Sequence, residues 1–193
     1  MRTLILLAAF TISLGCQSAT PTPDSIEQKM QADLRSGQQT LTDAQQAFTE
    51  GADFSDRLQR LMELEQQALA LAADEPLKLG SLGSAILDIY ADSLTGHYAM
   101  RQFYDHVDSE EAKAVHDQAL ADLIEALQAD ADGSRSKPYK ALTLFDGHTL
   151  ARLNNRSAVG AIYQSNATMA FGYQLVTRPE NGPLQREFFD ISA

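Results

Sequence analysis

Cysteine is almost absent from this chain: Cys16 is the only one in 193 residues. One thiol cannot close an internal disulfide, so the usual reason for cysteine in an exported protein does not apply. Tryptophan is missing, and aromatic character rests on eight phenylalanines and six tyrosines. Basic residues are scarce, 15 Lys and Arg against 26 Asp and Glu, which gives a formal charge of −11. So acidic a chain repels polyphosphate, because nucleic-acid affinity comes largely from Lys and Arg neutralising phosphates. Nucleic acid is therefore not an expected partner, and charge is not expected to draw the protein onto anionic headgroups. There is also no Gly-x-Ser-x-Gly and no phosphate-cradling glycine loop.

What is present begins with a short apolar run. Met1-Arg2-Thr3 carries one positive charge, and residues 4–14 carry none, with only Thr11 and Ser13 polar. This is the layout of a secretory signal, and it is shorter than the roughly 20 apolar residues of a spanning helix. The run ends Ile12-Ser13-Leu14-Gly15-Cys16. That ending resembles the bacterial lipobox in its relaxed form, with a small residue before the cysteine and Ser13 where Leu is usual. The resemblance implies cleavage after Gly15 and a diacylglycerol thioether on Cys16. Each buried methylene contributes about 0.8 kcal/mol, so two or three chains hold a protein to a membrane where one does not. Gln17 rather than Asp follows the cysteine, which in enterobacterium-like sorting favours the outer membrane. Removing residues 1–15 takes away Arg2 and leaves a charge of −12 on 178 residues. Residues 16–25, polar and proline-bearing, read as a lipidated tether.

Residues 26–130 read as helical. A polar helix is expected from Ser25 to about Arg35, and a short one capped by Thr42-Asp43. Phe54, Leu58, Leu61, Met62, Ala68, Leu69 and Ala72 recur at three- and four-residue steps and line one helix face. Pro76 opens the next helix, where its missing N–H is not needed. A further pair divides at Asp108-Ser109, with Ser109 as N-cap and Glu110 and Glu111 at the positive end of the helix dipole. The small residues Gly96, Ala99, Ala112 and Ala119 suit close approach of these two helices. With Phe103, Asp108 and His116 they resemble one degenerate tetratricopeptide unit, and packed helical pairs are expected in either case.

After Asp130 the pattern changes. A β-like run covers residues 139–145, and Asp146 is expected to cap a short helix over His148 to Asn154. Two further strands are expected, at 158–164 and 169–177, the second alternating through Met169, Phe171, Tyr173 and Leu175. Asn181-Gly182 signals a hairpin turn to a last strand over 184–192, antiparallel to its predecessor. The fold class expected is α+β: helical, tetratricopeptide-like hairpins, then a small, mostly antiparallel sheet with a short helix, residues 131–193 packing on 26–130. Roughly residues 94–192 resemble an uncharacterised bacterial domain of unknown function found in exported proteins. The matching pieces are Leu123-Ile124 with Leu127, Asp132-Gly133-Ser134, Pro138-Tyr139, Leu150 with Leu153, Gly160, Tyr163-Gln164-Ser165 and Phe189-Asp190-Ile191-Ser192. That resemblance implies an order of elements and no activity.

Candidate chemistry is sparse. His97, His106 and His116 fall within twenty residues, beside Asp105, Asp108 and Glu110. Histidine and carboxylate bind zinc, but steps of nine and ten residues do not stack two ligands on adjacent turns, so these histidines meet only across a hairpin. Asp130-Ala131-Asp132-Gly133-Ser134 hints at a calcium loop, yet the places that need Gly and a carboxylate hold Arg135 and Ala141. No metal site, cofactor or catalytic residue is assigned. Tyr98 and Tyr104 are the candidates for a partner-binding groove on the helical face. The sequence thus reads as an envelope lipoprotein, held to a membrane by lipid on Cys16, whose domain binds or scaffolds an envelope protein. The alternative is a metal-dependent envelope hydrolase built on His97, His106 and His116.

Overall fold

The computed structural model describes residues 41–166 and 169–191. The signal segment, Cys16, the tether and the expected helix from Ser25 to Arg35 lie outside the described residues. Gln39–Ala193 forms one compact unit. Six helices and four strands are described: α1 Leu41–Thr49, α2 Phe54–Leu71, α3 Pro76–Ile89, α4 Leu94–His106, α5 Glu110–Gln128, β1 Tyr139–Lys140, α6 Leu144–Leu153, β2 Arg156–Asn166, β3 Met169–Pro179 and β4 Gln185–Asp190. The class is α+β, with helical hairpins ahead of a mostly antiparallel sheet.

The helices begin where local chemistry lets them. Pro76 sits in the first turn of α3. Ser93 caps α4, its hydroxyl accepting from the Gly96 amide, which satisfies one of the donors that a helix start leaves open. Ser109 stands at the cap position of α5 but makes no side-chain cap bond. The preceding Asp108 adopts a positive φ of 54°, so the turn there is set by backbone geometry and not by the serine hydroxyl. Gly96 does not serve the α4–α5 contact that the sequence suggested. A Cβ there would meet Leu87 Cδ2 at 2.8 Å and Ile86 Cγ2 at 2.9 Å, and one on Gly83 would meet Met100 and the Gly96 carbonyl. The tight crossing is therefore α3 on α4.

The expected strand over 139–145 is the main departure. Only Tyr139–Lys140 pairs, and α6 already starts at Leu144. Thr143, not Asp146, is the N-cap: its hydroxyl accepts from the Phe145 amide, while Asp146 at the third helical position reaches back to the amides of Leu142 and Thr143. This capping box satisfies donors that a strand would have given to the sheet.

The sheet order is β1-β4-β3-β2, with β1 parallel to β4 and the other neighbours antiparallel. Gly182, at φ 150°, lies in the connection from β3 to β4. One row of aromatic residues runs in register across all four strands: Tyr163, Tyr173, Phe189, Tyr139. Neighbouring ring centroids are 6.4, 4.8 and 5.5 Å apart along it. Tyr173, Phe189 and Tyr139 are buried with Leu94, Leu120, Leu127, Leu150 and Leu175 in one core. A second core, around Phe48, Leu61, Leu64, Leu79, Ile86 and Tyr90, lies among α1–α4 and takes in Leu142.

Candidate functional site

Three places in the described structure combine polar chemistry or exposed apolar surface. The first joins the two cores. Glu65 on α2 is 1 % exposed, within the helix face that the apolar stripe predicted. Its carboxyl accepts from Ser93 Oγ at 2.8 Å and from Thr143 Oγ1 at 2.6 Å, so it ties the caps of α4 and α6 together. Burial, with Asp146 nearby, pushes the Glu65 carboxyl up to about 8. Burial likewise raises Asp146 to about 6, against the opposing effect of its two backbone hydrogen bonds. Tyr173 Oη donates to the Leu144 carbonyl and accepts from the Gly147 amide. Glu65, Ser93, Thr143, Asp146 and Tyr173 are all buried, and Asp146 lines a small cleft with Gln45, Asp92 and Lys140. The geometry of the network is that of a clamp between elements.

The second place is the α4–α5 hairpin, where the three histidines separate. His97 and His116 come together across it, Nδ1 to Nδ1 at 2.9 Å. His106, exposed in the last turn of α4, joins neither ring. The other nitrogen of His97, Nε2, lies 3.0 Å from the Ala91 carbonyl. A carbonyl only accepts, so Nε2 carries a proton and neutral His97 presents its Nδ1 lone pair to His116. Burial lowers both imidazoles, and His116, further lowered by His97, falls to about 4. Tyr104 stacks on His116 at 5.6 Å and 16°, with Phe103 tilted against it at 5.1 Å. Tyr104, expected as a groove residue, thus covers one face of this pair, and Tyr98 is half-buried on the same helix. Asp105 is held by Lys113 at 2.6 Å, and Asp117 by Arg101. Among the described residues no group of three or more His, Cys, Asp and Glu is placed to hold a metal ion. The Asp132 carboxylate accepts from the Ser134 amide, and Gly133 takes φ 71°. Those residues make the turn that the failed calcium-loop spacing implied.

The third place is the outer end of the sheet. β2 is an edge strand of eleven residues, and from Ser157 to Asn166 it carries no charged residue. Val159, Ile162 and Tyr163 on it are half-exposed, as is Phe171 on β3, whose ring stacks on Tyr163 at 6.2 Å. Sequence reasoning missed this surface. The alternation through Met169, Phe171, Tyr173 and Leu175 suggested one buried face, but Phe171 at its start is half-exposed beside Tyr163. It missed the clamp as well, although Glu65 interrupts the stripe one turn after Leu61, and a charge inside an apolar stripe is the available signal.

No protein-family model matches the chain, and neither does any curated protein or solved structure.

Proposed function

We propose that the protein is a non-catalytic binding module of the bacterial cell envelope, held at a membrane, by the Gln17 argument the outer one, through lipid on Cys16. The observation that carries the binding reading is the outer edge of β2, with which no other described strand pairs. A long edge strand, uncharged from Ser157 to Asn166 and with half-exposed apolar side chains, is a template for pairing, and such edges are normally blunted by lysine, proline or a cover. Here a bulge between Ala158 and Gly160 is the main irregularity before the register shift at the far end. The partner that fits is an extended segment of an envelope protein, uncharged and apolar at alternate positions. It adds as a fifth strand, its backbone supplying hydrogen bonds and its side chains meeting Ile162 and Tyr163. The tetratricopeptide-like resemblance would put recognition on the helical face, but Tyr104 there is occupied by His116.

A photo-crosslinking residue at position 162, in cells making the full-length chain, tests this. The expected result is a discrete heavier adduct that is absent when the same group replaces Leu77, which is 62 % exposed on α3. Equal labelling at both positions would sink the reading, and an adduct of twice the chain's own mass would assign the edge to a second copy instead.

A further inference from the structure

We propose that His97 and His116 form a two-imidazole chelate for a divalent ion of square-planar or tetragonal preference, the cupric ion foremost. This is independent of the β2 edge. The two Nδ1 atoms converge at 2.9 Å from different helices. In the neutral pair a single proton sits between them, carried by His116 because His97 keeps its own on Nε2 for the Ala91 carbonyl. When that proton passes through solvent to His116 Nε2, the ring stays neutral and both Nδ1 lone pairs are free for one ion.

The separation selects the ion. With metal–nitrogen bonds of about 2.0–2.1 Å, two nitrogens 2.9 Å apart subtend roughly 90° at the metal, whereas a tetrahedral site needs a separation of about 3.3 Å. An angle near 90° is the cis edge of a square plane or octahedron, which with nitrogen and oxygen donors is the habit of Cu(II) and Ni(II). Copper(II) also stands highest in affinity among the divalent first-row ions.

The surroundings fit the role. A metal-bound histidine usually donates its other ring N–H to a carbonyl or carboxylate, which fixes the tautomer; Ala91 supplies that carbonyl. The stack of Tyr104 on His116 holds the second ring in plane. The chain's net charge of −11 favours a cation. Both rings are only half-buried, so the remaining coordination positions face solvent and take water or a donor atom from another molecule.

Electron paramagnetic resonance of the full-length chain with one equivalent of Cu(II) at pH 7.5 tests the site, alongside thermal melting with and without the ion. The expected native spectrum is tetragonal with two-nitrogen coupling, and copper raises the melting temperature. His116→Phe keeps the stack on Tyr104 and removes the ligand. It should bind copper at least ~10-fold more weakly, lose the two-nitrogen signature and melt at the same temperature with and without copper. His97→Gln should behave likewise, and His106→Ala should match the native protein. If His116→Phe, shown by its own melting curve to be folded, retains the native spectrum, the copper lies elsewhere and the proposal fails. It fails equally if the native chain holds no copper.

Discussion

Glu65 shows how far one buried side chain sets the behaviour of this molecule. A carboxyl raised to about 8 is held protonated in the folded state at neutral pH, while the unfolded chain releases that proton near 4.5. The folded state therefore binds more protons than the unfolded one between those values, and stability falls as pH rises through the window. Asp146, raised to about 6, acts the same way at lower pH. His97, His116 and His148 are lowered, so they oppose it: their contribution builds as pH rises through 6.5 and is lost as pH falls. From pH 7 to 8 these histidines and Asp146 have largely finished titrating and the slope belongs mainly to Glu65. One proton of difference is worth about 1.4 kcal/mol per pH unit, and Glu65 is half ionised by pH 8, so a loss of about 1 kcal/mol is expected there. Calorimetric melting should show a falling midpoint in the native protein over this range and a nearly flat one in Glu65→Gln. Equal slopes in the two would mean that Glu65 is ionised throughout.

At the scale of elements, the α3–α4 crossing depends on a glycine and the sheet edge does not. A methyl at position 96 meets two side chains of α3 below 3.0 Å. Alanine's better helix propensity, worth up to about 1 kcal/mol, is outweighed by overpacking of about 1–3 kcal/mol. Gly96→Ala is thus expected to lower stability in urea unfolding, and Gly96→Val to lower it more. Gly160→Ala, with nothing within 4 Å of the added carbon, should unfold like the native chain. The helices themselves were legible: apolar steps in residues 54–72, Pro76 and the break at Asp108 mark α2 to α5 within a residue or two. The run over 139–145 was not. Its β-branched and aromatic residues fit either state, and the choice went to the helix because Thr143 and Asp146 close a capping box whose far side is Glu65, 78 residues away.

On the scale of the whole molecule, Gln39–Ala193 is compact by itself, and among the described residues no helix is long and apolar enough to cross a membrane. If Cys16 carries the lipid, Cys16→Ala should move the protein from the membrane fraction to the soluble or uncleaved pool and leave its melting temperature unchanged. Intact mass of the native protein should begin at Cys16 with the added acyl groups. A native mass beginning elsewhere, without lipid, would remove the anchor and its localisation together.

The sequence by itself determined the α+β class, the order of elements, the hairpin at Asn181-Gly182 and the acidic surface. These follow from period, turn chemistry and charge, which act between near neighbours or need no geometry. It also placed three histidines within one hairpin. Only tertiary structure decided that His97 and His116 meet while His106 does not, because that depends on how α4 and α5 are phased across the turn. It likewise decided that Glu65 faces Thr143 and that β2 ends the sheet among the described strands. Those outcomes depend on which surfaces remain once the two cores are filled, and spacing along a chain does not carry that information.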